Sequence, residues 1–137
     1  MKSPVTFGLL AVLPLLAACH QRQRIYHSDC ATPPASFQTA NDGIGHLRPY
    51  VTITIAPDGA IGWAGSSISN DQLVAYVRGS SRLNPTPQIV LDAAPTAPCD
   101  EVEHVRSVML ASQTCKGDVP LCSEGNDPKH WPIVGGP

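Results

Sequence analysis

Metal binding, proton relay or nucleophilic attack in this chain would fall to five cysteines, five histidines, eleven carboxylates and a scatter of serines. Each chemistry needs its residues at a particular spacing. Metal ligands come at short, repeated intervals, yet the cysteines contain no Cys-x-x-Cys pair, and His20, His27, His46, His104 and His130 stand singly. No serine lies in a Gly-x-Ser-x-Gly elbow, and no glycine-rich phosphate loop is present. Among the carboxylates, Asp92 closes the apolar run Ile89-Val90-Leu91. A carboxylate at a strand end either faces a crevice or caps the next turn; the expected role is the turn, with hydrogen bonds accepted from Ala94 or the link beyond it. Asp58 belongs to a Pro-Asp-Gly turn, and His104, beside Glu103, is expected to face solvent. Trp131 sits in a proline-flanked tail that it would clamp to the domain or offer to a partner. Asp92 and Trp131 are therefore the candidate binding residues. No catalytic residue, metal ligand or cofactor is expected, and the chain reads as a non-enzyme.

At the N-terminus, Lys2 precedes Val5–Ala18, an uncharged run of 14 residues broken only by Thr6, Gly8 and Pro14. A bilayer-spanning helix needs about 20 residues, so the run suits the apolar stretch of an export signal. It ends in Leu16-Ala17-Ala18-Cys19, which resembles the bacterial lipobox. That resemblance implies that residues 1–18 are a lipoprotein signal peptide and that the Cys19 thiol is lipidated, anchoring the protein to a membrane. His20 stands where an aspartate would retain such a protein at the inner membrane. By similarity to Gram-negative sorting, the expected place is the cell envelope, on the outer membrane and facing the periplasm.

Lipidation of Cys19 leaves Cys30, Cys99, Cys115 and Cys122, and an even number of cysteines in an exported chain reads as two disulfides. A formal net charge of −2 with no basic stripe argues against a nucleic-acid partner. Arg22 and Arg24 lie beside the anchor, where anionic headgroups would meet them.

The elements that would position these residues begin after a tether. Residues 19–48, with Pro33-Pro34 and no sustained periodicity, read as extended, save for a short ordered piece around Cys30 to Phe37. Such a tether would reach about 30 Å as a coil. In the 49–124 domain, Val51, Ile53 and Ile55 alternate with Thr52 and Thr54, and Ile61 and Trp63 resume the alternation past Pro57-Asp58-Gly59, predicting an antiparallel hairpin with Trp63 in the core. Ser69 and Gln72 form a capping-box pattern before a helix over about 70–79. Ile89-Val90-Leu91, bracketed by prolines, reads as a strand buried on both faces. Asp100 and Glu103 imitate a second capping box, with Val102, Val105 and Met109 as the inward stripe. A short strand within 118–125 follows, then an irregular tail over 125–137. The expected fold is α+β: a small mixed β-sheet with two amphipathic helices packed on one face and right-handed crossovers between parallel strands.

This order resembles the periplasmic domain of the ExbD/TolR proteins, small partner subunits of proton-driven envelope motors in the biopolymer transport family. The residues that carry the resemblance are the first strand, the Asp58-Gly59 turn, the second strand, the polar cap from Ser69 to Leu73, the strand Ile89-Val90-Leu91-Asp92 and the helix from Val102 to Met109. The resemblance implies a recognition domain that binds an envelope protein or peptidoglycan. It does not extend to the motor chemistry, because the family's proton-carrying aspartate lies in an N-terminal transmembrane helix, and here no acidic residue precedes Asp29. Auxiliary service to an ExbB/ExbD-type system, docking through an exposed strand edge, is the alternative function; an exported hydrolase is a remote one. Self-association as a homodimer is left open.

Helix geometry limits the disulfide pairing. Cys99 and Cys115 flank the second helix, 16 residues apart. At about 1.5 Å per residue they lie roughly 24 Å apart, far beyond the ~7 Å that a disulfide permits. Two arrangements survive: Cys30–Cys99 with Cys115–Cys122, or Cys99–Cys122 with Cys30–Cys115. The turn-forming Lys116-Gly117-Asp118 favours the first.

Overall fold

The computed structural model describes residues 30–135. The signal peptide, the lipidation residue Cys19 and the first part of the expected tether lie outside those residues.

The Val/Ile–Thr alternation forms β2 (Tyr50–Ile55), which turns through Pro57-Asp58-Gly59 into antiparallel β3 (Ile61–Trp63). Asp58 accepts a hydrogen bond from the Ala60 amide at 3.0 Å, and Gly59 takes φ +86, where a side chain would be strained. A second tight turn leads to the two-residue β4 (Ser66–Ser67). Helix α1 (Asn70–Ser80) starts at the expected capping box: the Ser69 hydroxyl accepts from the Gln72 amide, and the Gln72 side chain accepts from the Ser69 amide. It leads to β5 (Gln88–Ala93), parallel to β2. Helix α2 (Cys99–Ala111) leads in turn to β6 (Cys122–Glu124), parallel to β5.

The sheet order is β4-β3-β2-β5-β6. Both crossovers step in the same direction, so a single handedness sends both helices to one face. There Leu73 and Val77 of α1 and Val102, Val105 and Met109 of α2 bury against Ile53, Ile55, Ile89 and Leu91. The fold is α+β, and Ile89, Val90 and Leu91 are all buried, as a strand covered on both faces requires.

Three details differ from expectation. Asp100 does not cap α2. The cap lies two residues earlier, at Pro98, which makes no side-chain cap bond, so the helix begins at Cys99, and Glu103 is paired with Arg106 instead. The tether is part of the fold from Cys30 onward: Phe37 joins the core, Gln38 bridges Ser123 at the outer side of β6, and β1 (Ile44–Gly45) pairs in parallel with β7 (Ile133–Val134). The tail is likewise not irregular, since it holds a 3-10 turn over Pro128–His130 as well as β7. These terminal segments cover the second face of the sheet over β5, where Ile44 and Trp131 bury Val90, while Thr54 of β2 stays exposed on that face. Gly43 permits the close approach; a Cβ there, at φ +73, would lie 2.4 Å from the Pro132 carbonyl oxygen.

Cys30 is bonded to Cys99 and Cys115 to Cys122, with Cα separations of 5.2 and 5.1 Å. The tight return that brings Cys115 to Cys122 is closed by the Leu121 amide donating to the Thr114 carbonyl at 3.0 Å.

Candidate functional site

The helix layer does not cover the whole near face of the sheet. Val51 shares the face of Ile53 and Ile55 but sits at the start of β2 and is only half-buried. The result is a groove of about 730 Å³ between α1, the β3–β4 end and the 83–87 loop, where the Asn84–Pro85 peptide is cis. Val51, Trp63, Ile68 and Tyr76 form its apolar walls, with Leu83 at the rim, 58% exposed. Ser66, Ser67 and Gln72 add two hydroxyls and one amide, and no Asp, Glu, His, Lys or Arg side chain lines it. Trp63, expected in the core, is half-buried instead, with its ring 5.5 Å from that of Tyr76 at 54°. That tilted geometry is a favourable one for aromatic pairs.

Asp92 has a different role from the one expected. The Ala94 amide donates to the Ile55 carbonyl, leaving Asp92 to the C-terminal segment: Oδ1 accepts from Asn126 Nδ2 at 2.9 Å and Oδ2 from the Asp127 amide at 3.2 Å. Asn126 Nδ2 also donates to the Ala93 carbonyl, and Trp131 Nε1 donates to the Asn126 carbonyl at 2.9 Å. Trp131, 5% exposed, thus clamps the tail and offers no surface to a partner. Both candidate binding residues belong to one structural latch. Nearby, His130 pairs with Asp127; that hydrogen bond, against a slight opposing effect of burial and aided by the charges of His130 and Lys129, holds the Asp127 carboxyl below the usual range. The His130 ring has no serine or cysteine among its hydrogen-bond partners.

Under α2 lies a buried ion pair. Arg106 donates to Glu124 from Nε to Oε2 at 2.9 Å and from Nη2 to Oε1 at 2.6 Å, while its other arm meets the more exposed Glu103. Burial alone would push the guanidinium down, but the bidentate bonds and charge of Glu124, joined by Glu103, hold it above its ordinary value. This pair ties α2 to β6.

No family model matches the chain, and no curated protein matches it either. Its function must therefore be read from its own surfaces. Among the described residues, no cluster of three His, Cys, Asp or Glu side chains could hold a metal, and no helix is long and apolar enough to cross a membrane. His104 lies on the exposed side of α2, and His46 is also exposed. Sequence reasoning did not find the groove. Tyr76, Gly79 and Leu83 carry no motif, and the one available signal was an aromatic on the helix face that does not point to the core.

Proposed function

We propose that the chain is a lipid-anchored cell-envelope protein, attached through Cys19, whose non-catalytic ExbD/TolR-like domain recognises an envelope protein or peptidoglycan. Two disulfides are compatible with an extracytoplasmic place, because such bonds persist in oxidising compartments. The hairpin–helix–strand–helix–strand order supports the family resemblance, though a fold alone does not specify a function. The observation that carries the recognition role is the contrast between the sheet's surfaces. The chain's terminal segments cover the far face over β5 and the β6 edge, whereas the uncharged groove stays open beside β4. Exposed apolar concavities of this kind are where soluble domains meet ligands.

Two measurements test the reading. A palmitate analogue should label the wild-type protein and not Cys19→Ala; equal labelling sinks the anchor. A photo-crosslinker placed at the exposed position 83 should give a discrete adduct in intact cells, or the protein should be retained on purified peptidoglycan. If both experiments are blank, the recognition role is wrong.

A further inference from the structure

Resting on that recognition role, we infer that the ligand is an extended, uncharged polypeptide segment rich in aliphatic residues, which pairs with the open edge of β4 and lays side chains into the groove over Trp63 and Tyr76. Three observations lead there. First, β4 ends the sheet order, and no described strand pairs with its outer side, whereas the opposite edge at β6 is occupied by Gln38. Edge strands are commonly protected by charge or proline; β4 is two serines. An unprotected edge accepts an added strand, and one this short needs side-chain pockets beside it to give affinity.

Second, no Asp, Glu, His, Lys or Arg side chain lines the groove. A charged ligand would lose its hydration there and gain no ion-pair partner, which disfavours the carboxylates and amines of peptidoglycan stem peptides. An apolar floor with aromatic rings instead suits the aliphatic side chains that alternate along an added strand. The groove volume of about 730 Å³ lies in the range of ligand sites generally.

Third, Gly79 lies inside α1, where only proline is a poorer helix former, and it lines the groove. Neither its backbone nor its neighbours require a glycine: it does not take positive φ, and a Cβ built there would meet nothing within 4 Å. What the missing side chain leaves is a recess in the groove wall.

Phage-displayed random decapeptides, selected on the full chain purified in detergent, test the inference, with affinities of the selected peptides measured by fluorescence anisotropy. Selected sequences should be enriched in Val, Ile and Leu and depleted in Asp, Glu, Lys and Arg. Gly79→Leu, which fills the recess and favours the helix, should weaken binding at least tenfold while the unfolding midpoint stays the same or rises. Leu83→Asp, at an exposed rim position, should do likewise. Charged selected peptides, or binding indifferent to both variants, would overturn the groove while leaving the recognition role standing. Soluble muropeptides that shift the Ser66–Ile68 amide resonances and displace the peptides would give the groove to a glycan and overturn the peptide inference. Absence of binding by either probe would overturn the peptide inference and leave the recognition role to the crosslinking and peptidoglycan-retention measurements.

Discussion

Replacing Arg106 by methionine removes one half of a pair that the fold has taken out of water. Arg106 is 2% exposed and the Glu124 side chain 0%, so each was desolvated on folding and is compensated by the two bonds between them. Methionine fills most of the volume and supplies no charge, which strips the guanidinium from a buried carboxylate. Breaking a buried pair from one side costs about 3–5 kcal/mol. In a domain near 100 residues, 1 kcal/mol moves Tm by about 4–8 °C, so a fall of at least about 12 °C is expected. Arg106→Met combined with Glu124→Leu removes both charges and should lie within about 1 kcal/mol of the wild type, because an apolar replacement of similar volume offsets what the pair contributed. Urea unfolding followed by far-ultraviolet circular dichroism, with disulfides intact, reads all three proteins. A single-variant loss under about 1 kcal/mol, the scale of an exposed ion pair, would refute the burial argument. A double variant as unstable as the single would show that packing, and not the stranded charge, was lost.

Asp42 accepts from the Thr39 amide at 2.7 Å and from its hydroxyl at 2.8 Å, which holds its carboxyl below the usual range. The stability it contributes is therefore full above about pH 4 and lost as pH falls through the lowered folded value; the protection of the Thr39 amide relative to its intrinsic exchange rate should fall in acid, and Asp42→Asn should abolish that dependence. The two disulfides close loops of unequal length, with separations of 69 and 7 residues. On the chain-entropy account, replacing Cys30 and Cys99 by serine costs about 4 kcal/mol and replacing Cys115 and Cys122 about 2.5, and the reverse order in denaturant midpoints would contradict it. Trp131→Ala should cost about 3 kcal/mol and raise exchange at the Ile44 and His46 amides, which pair with the tail, before exchange in β5 changes.

The parts of this fold that were legible in the sequence have local causes. Alternation over Val51–Ile55 follows from a strand with one wet face, the Ser69–Gln72 box from the unsatisfied amides of a helix start, and the run Ile89-Val90-Leu91 from burial on both sides. The parts that were not legible have distant causes. β1 and β7 are two residues each, and Ile44 pairs with Ile133 across most of the chain, so no short window carries a period for either. Ile44 and Trp131 are lone apolar residues among glycines and prolines, and only their meeting over Val90 makes them a core. The groove has the same character. It arises where Val51 of β2 and Tyr76 and Gly79 of α1 line one concavity, and neither element records the other in its own residues.

The Cys30–Cys99 bond also relates the proposed anchor to the proposed groove. Cys99 opens α2, and a Cβ on Gly59 would lie 3.5 Å from Pro98 Cγ, which puts the start of α2 beside the β2–β3 turn, at the far end of β2. The groove lies at the other end, where Pro49 precedes β2 and Pro87 precedes β5. Six residues of strand separate the two ends, about 20 Å. Cys30 is therefore held at the end of the sheet that carries the β2–β3 turn. If Cys19 carries the lipid, the eleven residues from there to Cys30 span at most about 40 Å, and the disulfide sets the point of the domain to which they are joined. The groove itself is built from residues 49–87 and needs neither cysteine.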